Sequence, residues 1–154
     1  MDSASTPQAV FLGMPRHGVT AHAGAMKGLC MFPSRSRAIL HGEYEGSLLT
    51  HNCNSLWAMA LNARHQHKLT HFGLIHSDVC PEPFWVDKML DEAEKVGADV
   101  ISAVIPFRGP RGLTSTGIAD PHLEYISRRL TLKQVYDRPE TWTEPGLLLN
   151  TGLV

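Results

Sequence analysis

Apolar and polar positions along the chain fall into a few regular runs. Residues 9–15 form a near-continuous apolar stretch closed by Pro15, the pattern of a short buried strand. Residues 70–76 repeat that pattern and end at His76. A third run spans 99–106, and its almost unbroken apolar character suits a strand in a sheet covered on both faces. Between the second and third runs, Val86, Met89, Leu90, Ala93 and Val96 recur at helical spacing. Asp87, Lys88, Asp91, Glu92, Glu94 and Lys95 fill the opposite side, so the pattern predicts a helix over 84–96 with a solvated charged face, closed by Gly97. Strand, helix and strand in this order predict a βαβ unit with parallel strands and a right-handed crossover.

The rest of the chain is less regular. Residues 1–8 read as a loose leader, and 9–154 as a single α/β domain with a mainly parallel central sheet flanked by helices. A loop rich in Gly, His and Arg spans 16–36 and contains a small-residue helix over 21–29. Asn52 and Asn54 are candidate N-caps for a helix running to Ala63, with Leu56, Trp57, Ala60 and Leu61 as its apolar stripe. After Pro106 the periodicity gives way to a Gly/Pro loop carrying Arg108 and Arg111, then to the hydroxyl-bearing Thr114, Ser115 and Thr116. Residues 147–154 are an apolar segment that breaks off early, and the expectation is a domain continuing beyond Val154.

Composition narrows the partners more than the fold. A hydrophobic share of 43% in 154 residues is enough for a buried core. The formal net charge of -1, with basic residues dispersed, argues against nucleic acid or an anionic membrane as partner. Cys30, Cys53 and Cys80 form neither a disulfide framework nor a C-x-x-C metal motif, which fits a reducing cytoplasmic setting. The N-terminal residues lack the basic start and apolar core of a signal peptide.

Ligands of open α/β sheets collect at the carboxyl ends of strands, and His76-Ser77-Asp78 lies at such an end. An imidazole and a carboxylate two residues apart on extended chain point the same way and suit one divalent cation or one sugar hydroxyl. The alternative is structural: Asp78 caps the turn before Pro81 and His76 packs at the strand end. The strand ending in His76-Ser77-Asp78, the following helix with Trp85, the run through Val100 to Val104, and the upstream helix with Asn54 together resemble glycosyltransferases of the GT-A fold, family 2-like, over residues 9–118. In that family a buried strand ends in a D-x-D motif. The resemblance implies a Rossmann-like nucleotide-sugar-binding domain that uses Mn²⁺ or Mg²⁺ to bind its donor and passes the sugar to an acceptor. It implies Asp78 and His76 at the metal and Pro15, Arg16, His17, Asn54, Ser77 and Asp78 at the nucleotide-sugar. His76 departs from the motif, because a neutral imidazole stands where the family has a carboxylate, and one charge is missing.

Arg108 and Arg111 could approach a diphosphate or acceptor, or be solvated; Thr114, Ser115 and Thr116 could line a sugar pocket, or satisfy their own turn. Asp120 and Glu124 are the acids nearest that loop, and neither is assigned as catalytic base. Two rival readings remain. One is a zinc hydrolase built on His65, His67 and His71, although a strand over 70–75 separates the first two from Asp78. The other is an inactive nucleotide-sugar-binding module.

Overall fold

The computed structural model describes residues 8–18, 20–120, 122, 127–149 and 153–154. All but the last residue of the expected leader lies outside them, as does Glu124. Three strands, β1 (Ala9–Arg16), β2 (Ala38–Glu45) and β3 (His71–Leu74), form a parallel sheet in the order β2-β1-β3. Helix α1 (Ala23–Cys30) connects β1 to β2, and α2 (Leu49–His67) connects β2 to β3. Then come α3 (Trp85–Val96), β4 (Leu113–Ala119), β5 (Ser127–Thr131), α4 (Leu132–Tyr136) and β6 (Leu147–Leu148).

The period-two geometry of β1 splits the core into two layers. Val10, Leu12 and Met14 pack with Ala25 and Leu29 of α1 and Trp85 and Val86 of α3. On the opposite face, Ala9 and Phe11 pack with Leu56 and Ala60 of α2. With helices covering both faces, the central strand is buried along nearly its whole length, which explains its almost unbroken apolar sequence. Gly13 lets α2 come close, since a Cβ there would sit 3.2 Å from Leu56 and Leu74 side chains.

Several local expectations are corrected. Pro15 does not stop β1 but pairs within it, opposite Tyr44. Strand β2 was not anticipated. Helix α2 begins at Leu49 with Leu48 as N-cap, so Asn52 and Asn54 lie inside the helix and cap nothing. Helix α3 follows the predicted span and ends at Gly97 with φ of 67°, the left-handed position that glycine adopts without strain. Its face is less solvated than its sequence implies. Ser34 Oγ (2.5 Å) and the Arg35 N–H (2.7 Å) donate to the Asp87 carboxylate. Arg37 joins Asp87 at 2.8 Å and Asp91 at 2.6 Å. Burial pushes Asp87 up, but the bonds from Arg35, Ser34, Arg37 and Ser36 together hold its carboxyl below the usual range.

The run over 99–106 does not form the second parallel strand of the βαβ unit. Among the described residues, the edge of β3 is met by Leu153 and Val154, running antiparallel: Val154 exchanges both backbone hydrogen bonds with Leu74, and Leu153 bridges Ile75. Ala103 then donates to the Leu153 carbonyl at 3.1 Å. Further along, Ile105 and Ser115 bond each other, as do Phe107 and Leu113, across the Gly/Pro loop. Strand β4 carries a small antiparallel sheet in the order β5-β4-β6, which the sequence reading did not foresee.

Candidate functional site

Two segments stop side by side where β1 and β3 end. Pro15 and Arg16 close β1 and His17 leaves it, while 76–78 turn away from β3 with the Val79 N–H bonded to the His76 carbonyl at 3.1 Å. The start of α1 is fixed to this turn, because the His22 N–H donates to the Ser77 carbonyl at 2.8 Å. Between the segments lies an open cleft of about 310 Å³. Pro15, Arg16, His17, His76, Ser77 and Asp78 line one part of it, and Gly46, Ser47, Leu49 and Asn52 line the rest. It sits at the carboxyl ends of parallel strands, where loops and helix N-termini converge.

The cleft gathers every residue assigned to metal or nucleotide-sugar except Asn54, which is exposed on α2 and does not line it. Asn52, one half-turn earlier, lines it instead. Its Nδ2 donates to the Arg16 carbonyl at 2.9 Å and the Gly46 carbonyl at 3.0 Å, tying the ends of β1 and β2 to α2. The position of Asn52 was legible, but its role was read as a cap. Gly46, Ser47 and Leu49 were missed along with β2, which delivers them.

Charge in the cleft is already partly balanced. Arg16 Nε lies 3.2 Å from Glu43 and its outer nitrogen 3.9 Å from Glu45, two acids that alternate onto the same side of β2. Arg16 is thereby held as a wall of the cleft, with less of its charge left for an anion. Burial lowers the pKa of His76 below its ordinary 6.5, against the pull of the Asp78 charge, so the imidazole is neutral at neutral pH. The neutral imidazole is the form in which histidine ligates a metal.

Mg²⁺ and Mn²⁺ are commonly held by one or two carboxylates with phosphate oxygens completing the shell. One carboxylate and one neutral imidazole suit an ion whose remaining ligands come from a bound diphosphate. Among the described residues no group of three His, Cys, Asp or Glu is placed to hold an ion by itself. His65 and His67 occupy the last turn of α2, ahead of β3, whereas Asp78 follows it.

The other candidates are dispersed. Arg108 and Arg111 line a separate hollow of about 210 Å³ formed by the Gly/Pro loop itself. Thr114 and Thr116 are buried within the β4 hairpin, and the Thr114 hydroxyl donates to the Leu130 carbonyl at 2.9 Å. Ser115 Oγ accepts from the Ile105 N–H at 2.9 Å. Of the two readings of 114–116, the bonds of Thr114 and Ser115 match the one in which the hydroxyls satisfy their own turn, because both hold backbone together. Asp120 accepts from the His122 N–H at 2.9 Å. Trp85 is core, while Trp57 is half-exposed and meets Phe72 edge-on at 4.9 Å.

Burial of imidazoles gives the fold a pH dependence. The pKa values of the half-buried His76 and His71 are both lowered, by burial first, with the Arg37 charge adding to the effect at His71. The unfolded chain then takes up protons before the folded one does. Stability is complete above the ordinary histidine value and is lost as pH falls through the lowered folded values. Urea midpoints should drop between pH 7.5 and pH 5.5, and His71→Gln should shrink that drop; a flat profile would count against the assignment. No helix among the described residues is long and apolar enough to cross a membrane. No family model, no curated protein and no solved structure matches the chain.

Proposed function

We propose that the chain is a glycosyltransferase-like protein of the GT-A type, which binds a nucleotide-sugar in this cleft with a divalent metal and transfers the sugar to an acceptor. The observation that carries the reading is that one cleft, at the carboxyl ends of β1 and β3, is lined both by residues 15–17 and by residues 76–78. These segments lie far apart in sequence, and parallel pairing of β1 with β3 is what unites them.

In this reading Asp78 and neutral His76 hold Mn²⁺ or Mg²⁺. The bound ion supplies Lewis-acid stabilisation of the charge that develops on a departing diphosphate. Pro15, Arg16 and His17 orient the nucleoside from the opposite wall, with Arg16 kept in place by Glu43 and Glu45. Ser77 fixes the turn through its carbonyl, so the geometry of Asp78 is coupled to the start of α1.

A panel of nucleoside diphosphates, titrated calorimetrically with and without Mn²⁺, tests the proposal. Binding should depend on Mn²⁺ and weaken by at least about tenfold in Asp78→Ala, given that removing groups that merely support metal ligands already costs that much. Binding left unchanged in Asp78→Ala would remove the metal role. The exposed position of Asp78 makes the variant benign to folding.

A further inference from the structure

Outside the cleft, a thiol meets an imidazole at the protein surface. Cys80 Sγ lies 3.0 Å from His22 Nδ1, and both residues are exposed. The same ring nitrogen accepts the Gly24 N–H at 3.1 Å. A nitrogen that accepts a backbone N–H carries no proton of its own, so Nδ1 presents its lone pair and the thiol is the donor toward it. The ring is held in place from two sides, because His22 is the N-cap of α1 and its own N–H is bonded to the Ser77 carbonyl.

The contact depends on a glycine. A Cβ on Gly24 would collide with Cys80 Sγ, so any other residue there would push the sulfur off the ring. A nucleophile within hydrogen-bond reach of a base, with the base oriented by a third group, is the arrangement of covalent chemistry. The other two thiols lack it. Cys30 is equally open to solvent, but the thiol–imidazole contact among the described residues is that of Cys80. Cys53 is half-buried, and burial pushes its thiol up, away from the reactive thiolate.

We propose that Cys80 and His22 form a nucleophile–base pair, a site of covalent modification that takes a small-molecule disulfide. Cys80 Sγ attacks one sulfur of the disulfide while its proton passes to His22 Nδ1. A new S–S bond forms, the old one breaks, and the departing thiolate takes the proton back from the imidazole. Cys80 is thereby oxidised to a mixed disulfide and the reagent is reduced to one thiol. The adduct persists, because no other cysteine is placed to displace it. Cys30 closes the far end of α1, about 9 Å along the axis from Gly24, beyond disulfide reach. Cys53 packs in the layer on the opposite face of the sheet.

Glutathione disulfide is a suitable probe. The intact chain is incubated with an excess of it at fixed pH, and the adduct at each cysteine is followed over time by peptide mass spectrometry. Cys80 should be modified about tenfold or more faster than Cys30, which serves as the exposed control. Unfolding in urea should erase that lead, since it parts the pair. In His22→Asn, whose side-chain oxygen still caps α1, the Cys80 rate should fall to near that of Cys30. Equal rates at Cys80 and Cys30 in the folded chain, a lead that survives urea, a rate unchanged in His22→Asn, or an internal disulfide in place of the adduct overturns the proposal.

Discussion

Trp85→Ala should lower the unfolding free energy by about 4 kcal/mol, seen as a lower urea midpoint at an unchanged slope. Trp85 is 5% exposed and packs in the layer formed by Val10, Leu12, Met14, Ala25 and Leu29. Its indole N–H donates to the Gly28 carbonyl at 2.9 Å, inside α1. Gly28 lacks a Cβ at a place where one would run into the Pro81 ring, so α1 and residues 80–85 cannot close over a void. Alanine therefore leaves both a cavity and an unsatisfied carbonyl. Trp85→Phe keeps most of the buried area and should lose only about 1–2 kcal/mol. A loss below about 1 kcal/mol in Trp85→Ala would mean that α1 and α3 repack freely.

Asp87→Ala comes next, at about 3 kcal/mol. The side chains of Asp87 and Arg37 are only 14% and 9% exposed. Removing the carboxylate takes one partner from the Arg37 guanidinium, which keeps Asp91 and Gln8, and leaves Ser34, Ser36 and the Arg35 N–H without their acceptor. Those groups form the loop that delivers β2 to the sheet, so its docking on α3 is lost with them. Because the folded pKa of Asp87 is depressed, its contribution is present above the ordinary aspartate value and disappears as pH falls through the folded one. A cycle with Arg37→Met isolates the coupling. If Asp87→Ala costs less than about 0.5 kcal/mol, the charge is merely solvated.

The elements that could be read from sequence are those whose surroundings are uniform. Strand β1 is covered on both faces, and α3 has one clean apolar stripe, so each imposes its period on its own residues. Strand β2 hides its period behind His41, Glu43 and Glu45, because its outer positions serve Arg16 and solvent rather than a core. The run at 99–106 looked like a strand partner of β3 because hydrophobicity reports burial and not which segment covers it. What bonds it is Leu153 on one side and the hairpin to Ser115 on the other, both distant or irregular in sequence. Asp87 fits a wet-face position in every local respect, and only the return of residues 34–37 converts it into an anchor.

The candidate site divides along the same line. Residues 15–17 and 76–78 could be named from sequence because each lies at the end of a buried strand, and parallel strands bring such ends together. Asn52 was visible as a polar residue near the start of a helix. Its actual position, facing two carbonyls from different strands, depends on β2 and could not be inferred without it. Thr114 and Ser115 show the converse, where a hydroxyl-rich string that suggests a binding loop is used up by its own hairpin.

The seam formed by Leu153 and Val154 also sets a timetable for folding. During synthesis β1, β2 and β3 emerge early and can pair among themselves, but the bonds that close the outer edge of β3 at Leu74 wait for residues 153 and 154. Contacts of such long sequence separation form slowly. Until they form, the nascent sheet presents open N–H and C=O groups to any extended strand nearby. Before that closure the edge of β3 is open to misassembly, and covering it is something a chaperone could do.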